Sequence, residues 1–311
     1  MKQIKYLMLI AAALMALSSC YKDEPDRNHS IYDDNDIPQR NEFDRWLMKN
    51  YTFPYNIEFN YLYNDKLTNN NYNVVPATME NSKAIAILIK HVWLDAYIES
   101  AGADFIRKNT FRVFQLIGSP QYNSQGSITL GTAEGGIQVT LFRINELDLE
   151  NIYVNQDDPY RNHSELPLDL NYWYFHTMHH EFCHILTQKK NYTTDFQSIS
   201  AGKYHAADWV NVEDKDAAKE GFVTGYASGE YNEDFAEVYS TYVTSSDAAW
   251  QAILENGTDG DDTSGRDAIV AKLNIVRTYM SDSWGIDLEA LREVVLRRSA
   301  EAASLDLITL K

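Results

Sequence analysis

Apolar and polar positions divide this chain into three stretches. Residues 6–17 are a short apolar run behind Lys2 and Lys5, and residues 20–40 are polar and acidic with no periodic face. From residue 41 the periodicity begins. Phe43, Trp46 and Leu47 predict a short helix over 43–48, and residues 55–61 (YNIEFNY) alternate as a strand does. Residues 82–99, rich in Ala, Ile and Leu, read as a long helix, and 111–118, 127–131 and 136–142 as strands. Residues 170–190 contain no Gly or Pro and would make about five helical turns. Asp169 or Asn171 suits the start of that helix, and Lys189 and Lys190 its end. A second amphipathic helix is predicted over 230–245, with Phe235, Val238, Tyr239 and Tyr242 inward. Two more follow at 267–280 and 287–303, split by residues 281–285, after a polar loop at 256–265. Strands early and helices late predict an α+β unit over 41–311, long enough to bury a sizeable core.

The front of the chain has the form of an export signal. Twelve apolar residues are too few to span a membrane, which takes about 20. A basic start, a short apolar core and small residues at its end make residues 1–19 a secretory signal. Leu17-Ser18-Ser19-Cys20 also resembles the bacterial lipobox, in which Cys20 becomes the lipidated first residue of the mature protein. The acidic residues 21–26 resemble the tag of surface-displayed outer-membrane lipoproteins, and a periplasm-facing anchor is the alternative. Residues 20–40, broken by Pro25 and Pro38, then read as a flexible tether. The other cysteine is Cys183, so no internal disulfide is expected once Cys20 is lipidated.

The chain carries 27 basic and 45 acidic residues, a net charge of −18. Removing residues 1–19 would leave 25 basic residues against 45 acidic, a net charge of about −20. Such a surface repels nucleic acid and anionic head groups, which excludes a nucleic-acid partner and leaves the lipid at Cys20 as the membrane attachment. The Asp259–Asp262 region of the polar loop lacks the spacing and terminal glutamate of a calcium-binding EF-hand, so it reads as a surface turn.

Within the helix predicted over 170–190, His180-Glu181-Phe182-Cys183-His184 spells H-E-x-x-H. Residues four apart on a helix lie one above the other, roughly 6 Å along the axis, so His180 and His184 aim at one point suited to zinc. Glu181 can reach water at the metal's open position and act as general base. Glu233 and Glu237, four apart on the next helix, offer a third ligand and a carboxylate to orient a ligand histidine; residue types alone do not say which is which. His176 lies too far along the helix to share the ion and reads as a cleft or packing residue. His179 points about 100° away, and His205 reads as a loop histidine.

The stretches HHEFCHIL (179–186) and GFVTGYASGEYNEDFAEVY (221–239) resemble the zinc-binding metallopeptidase family of Gram-negative surface lipoproteins. More distantly they resemble the catalytic domain of anthrax lethal factor, a gluzincin. The resemblance implies a zincin-like fold, with sheet and helices in an upper lobe, a mainly helical lower lobe and the cleft between them. It implies Glu233 as the third zinc ligand, 49 positions after His184, with Glu237 behind it and Tyr226 as the phenol that holds the oxyanion. Cys183 departs from the Gly or Ala more usual there. An edge strand before the zinc helix would bind the substrate backbone, the choice lying between 127–131 and 136–142. The implied activity is zinc-dependent hydrolysis of a protein or peptide. The rival readings are an accessory lipoprotein of a nutrient-uptake system that binds peptide or glycan without cutting it, and a structural zinc closed by four protein donors.

Overall fold

The computed structural model of the chain describes residues 40–69, 71–122, 131–134 and 137–311. The signal over 1–19, Cys20, nearly all of the tether and most of the strand expected at 127–131 lie outside the described residues. Residues Glu42–Lys311 pack together as one unit.

The first helix among the described residues, α1 (Glu42–Leu47), runs on through a π turn at Met48–Thr52 and a last turn at Phe53–Tyr55. It stops at Asn56, which takes a left-handed conformation with φ 57°, a common way to end a helix. That extension consumes the front of the strand expected over 55–61, leaving β1 at Glu58–Asn60. The long helix expected over 82–99 is α2 (Met79–Ile89), a π turn at Lys90–Leu94 and α3 (Asp95–Ala101). It starts earlier because the Thr78 side chain accepts the Asn81 N–H, and it ends at Gly102, φ 85°. A further helix, α4 (Ala103–Asn109), leads into β2 (Val113–Leu116).

With β3 (Gly131–Glu134) and β4 (Gln138–Leu141), the sheet has the order β1-β2-β4-β3. The first three neighbours are parallel and β3 runs antiparallel on β4. The outer position next to β4 therefore belongs to β3. The even alternation of 136–142 suggests one wet face, yet all four residues of β4 are buried. Its polar members are satisfied internally: Gln138 Nε2 donates to Leu67 O and to Thr140 Oγ1, each at 3.0 Å.

After the sheet the chain is helical. A π segment at Asn171–His176 leads into α5 (Thr177–Lys189). Of the two candidate caps, Asp169 accepts the Asn171 N–H at 3.0 Å. Then come α6 (Tyr231–Thr244), α7 (Asp247–Asn256), α8 (Ser264–Trp284) and α9 (Leu288–Glu301). The break expected at 281–285 falls at 285–287, where Gly285 ends α8 with φ 68°, and α7 was not foreseen. The architecture is α+β, and α5 is its seam, packed against both β3 and α6.

The rear of α5 is anchored by aromatic packing. Phe182 sits edge-on to Trp93, Tyr97 and Phe105, while on α6 Phe235 stacks on Tyr192 with ring centres 4.0 Å apart. Burying such a ring contributes about 1.5–3 kcal/mol. These contacts fix the rotation of each helix, and so decide where its polar face points.

Candidate metal centre and its cleft

Four residues of rise bring His184 over His180, and α6 supplies Glu233 from across the seam. His180 Nε2 and His184 Nε2 are 3.0 Å apart; Glu233 Oε2 lies 3.0 Å from the first and 3.2 Å from the second. A tetrahedral ion with ~2.0–2.1 Å bonds keeps its donors ~3.3–3.4 Å apart, so this triangle needs only a slight opening to accept zinc. The electrostatics agree. Burial works against a charged His180, but Glu233, Glu237 and Glu181 outweigh it and raise its pKa well above the ordinary value. Burial likewise opposes ionisation of Glu233, while hydrogen bonds from His180 and His184 hold its carboxyl far below the usual range. The pocket favours positive charge, and the donor set could hold a metal.

Glu237 stands on the other side of the His180 ring. Its Oε1 lies 2.8 Å from Nδ1 and 3.5 Å from His176 Nε2. Its Oε2 accepts the Thr224 hydroxyl at 2.7 Å, and the same hydroxyl accepts the Ala227 N–H at 3.1 Å. A polar chain thus runs from a ligand histidine through Glu237 and Thr224 to the turn at Tyr226–Ser228. Glycine is required just before that turn. A side chain on Gly225 would meet Val212 O at 2.1 Å, and the Gly225 N–H donates to Asp214 Oδ1 at 2.7 Å.

Tyr226 leans over the site, its ring 5.8 Å from that of His180 and edge-on to Trp209 at 4.8 Å. Burial, then the carboxylates of Glu233, Glu237 and Glu181, push its phenol pKa far up, so the proton stays on. Tyr226 lines a cleft of about 660 Å³ together with His180, Glu181, His184 and Glu233. Among the described residues this cleft is lined by α5 and by segments that follow it in the chain.

The remaining candidates take bland roles. His176 lies behind the cleft, its Nε2 2.9 Å from Ser240 Oγ. His179 points to the rear, where its Nδ1 is 3.1 Å from the Tyr97 hydroxyl; burial drops its pKa to about 3. His205 pairs with Glu220 at 2.6 Å. Cys183 is a buried free thiol whose pKa burial raises. The sequence reading missed Thr224, Trp209 and the buried Asp234–Lys272 pair. Thr224 sits inside the 221–239 stretch, but a threonine there carries no chemical signal until Glu237 is seen beside it.

The α+β frame thus brings two histidines and a glutamate together at the wall of a cleft, a donor set that could hold a metal ion. The chain belongs to the family described as "Putative zinc-binding metallo-peptidase", whose profile matches residues 36–289. A crystal structure from Bacteroides caccae ATCC 43185 with the same description is 40% identical, with a TM-score of 0.69, covering 91% of this chain and 100% of its own. No curated protein matches the chain. The family's metal is zinc, and the residues here suit it.

Proposed function

We propose that the protein is a zinc-dependent peptidase in which Glu181 is the general base and Tyr226 the oxyanion donor. The observation that carries this is the His180–His184–Glu233 triangle opening on the same cleft as Glu181. Bound zinc supplies Lewis acidity, polarising a carbonyl and lowering the pKa of water towards ~7. Glu181, on the cleft wall, takes the proton of the attacking water and hands it to the departing amine. Tyr226 keeps its proton and donates a hydrogen bond to the developing oxyanion. Glu237 holds His180 from behind, which fixes the ring and leaves three donors rather than four facing the ion. That placement favours an open catalytic site over a closed structural one. The outer strand β3, against which α5 packs, is the edge to which a substrate backbone would add.

Zinc content and peptide cleavage test the proposal together. Wild type is expected to hold one zinc and cut peptides, and Glu181→Gln to keep the metal and lose cleavage; equal cutting by both removes Glu181 from the chemistry. A non-cutting accessory protein would show no cleavage in either form.

We also propose that Cys20 carries lipid and holds the enzyme at the outer membrane, displayed on the cell surface near a nutrient-uptake system. No helix among the described residues is long and apolar enough to cross a membrane. Labelled fatty acid should enter the wild-type protein in cells and fail to enter Cys20→Ser; label in both would refute the anchor.

A further inference from the structure

Apart from the two histidines at the metal position, the charged side chains of the cleft are of one sign. Among its described lining residues the ionised side chains are Glu181, Glu230 and Glu233, with no Lys or Arg. Glu233 faces the two histidines and Glu181 belongs to the proposed chemistry. Glu230 is left over. It is the residue before α6, partly exposed, and its described contact is with Asn232, whose Nδ2 donates to Oε2 at 3.2 Å. An amide leaves most of a carboxylate's hydrogen-bonding capacity unused. Its field is felt nearby: burial and then Glu230 raise the pKa of the Tyr192 phenol.

The pattern continues outward. A second cavity of about 340 Å³ shares Asn191 and Tyr192 with the cleft, and its charged lining residue is the exposed Asp282. No Lys or Arg is among its described lining residues, though the Lys190 ammonium donates to Ser283 O at its edge. The cleft and the cavity beside it therefore each present a carboxylate, Glu230 in the first and Asp282 in the second. An acidic peptide would be repelled there, while a cationic one gains charge-assisted hydrogen bonds to Glu230 in a partly desolvated setting.

We infer that Glu230 is a specificity residue that recognises a cationic nitrogen of the substrate. The nitrogen is a Lys or Arg side chain or a free α-ammonium group, since the two present the same chemistry to a carboxylate. The inference rests on the peptidase reading only for the word substrate; the recognition itself is a binding property.

Binding is therefore measured apart from turnover, on full-length zinc-loaded Glu181→Gln protein, by fluorescence anisotropy at low salt. The probes are one labelled peptide with an internal Lys, norleucine or Glu, each with a free or an acetylated N-terminus. The Lys or free-amine peptides are expected to bind about tenfold more tightly than their neutral counterparts, and the Glu peptide most weakly. Adding Glu230→Gln should erase that ratio, and Glu230→Lys should reverse it, with zinc content held at one per chain. Loss of preference on acetylation assigns the α-ammonium, and loss on Lys→norleucine assigns the side chain. In wild type, kcat/KM should follow the same ranking. Binding indifferent to peptide charge, or a preference that survives Glu230→Gln, overturns the inference. Charge-dependent binding without any hydrolysis would instead sink the peptidase reading and leave this one standing.

Discussion

At the residue scale the centre shows how one geometry assigns different work to similar groups. Glu233 and Glu237 are both carboxylates on one helical face, a turn apart. Glu233 Oε2 lies 3.0 Å from His180 Nε2 and Glu237 Oε1 lies 2.8 Å from Nδ1 of the same ring. One faces the ion position and the other the back of the imidazole, and that difference decides ligand from support. Tyr226 keeps part of its ring exposed, and partial burial of its phenol beside the carboxylates of Glu233, Glu237 and Glu181 keeps its proton on, as the proposed oxyanion donor requires. Replacing it with Phe removes one oxyanion donor and should lower kcat by about a hundredfold or more with little change in KM, measured by steady-state kinetics. An unchanged kcat would return Tyr226 to a packing role. The H-E-x-x-H residues were legible at once, because four-residue spacing is a property of the helix itself. Thr224 and Trp209 were not, because their value lies in contacts that no local pattern encodes.

At the element scale, α6 is held by a buried ion pair beside the metal centre. Asp234 and Lys272 on α8 are both fully buried and 2.6 Å apart; Tyr204 donates to Asp234 at 2.9 Å and Lys272 to Gly221 O at 2.7 Å. Burial pushes the Asp234 carboxyl up to about 6 against the pull of Lys272. Removing one partner leaves an uncompensated charge in the core. Lys272→Met is expected to cost about 3–5 kcal/mol in chemical denaturation, and the double variant with Asp234→Leu to recover most of it. A single variant as stable as wild type would contradict the structure here. Helices were the readable elements: α5 taken with the π segment before it, and α6, begin and end close to the expected bounds, because amphipathic spacing and absence of Gly are local. The strands were less so. The expected strand at 55–61 lost its front to a helix that runs on to Asn56, and β4 hides both faces, which its alternation did not suggest. Those outcomes depend on neighbours far away in the chain.

At the scale of the whole molecule, acid should loosen the fold through buried neutral histidines as well as through metal loss. His163 stacks flat on Tyr172 with ring centres 3.4 Å apart. Burial, aided by His176 and Arg161, lowers its pKa from 6.5 to about 4. The folded ring resists a proton that the unfolded ring accepts, so its contribution to stability is present above pH 6.5 and is lost as pH falls to about 4. The size is on the order of 2 kcal/mol after solvent screening. In chelator, so that zinc does not contribute, His163→Phe should show a flatter decline of stability between those limits than wild type; parallel curves would rule the effect out.

The sequence by itself determined the metal chemistry and the helical segments that carry it, because ligand spacing and amphipathic period are short-range properties of the backbone. It also determined that the chain is strongly acidic. The resemblance already implied Glu233 as the third ligand; only the tertiary structure decided that β3 takes the described sheet's outer edge beside α5, and that Glu230 is the carboxylate the cleft leaves unmatched. Each of these is set by the packing of α5 against β3 and α6, and packing between distant segments depends on the shape of the whole core rather than on any single stretch of chain.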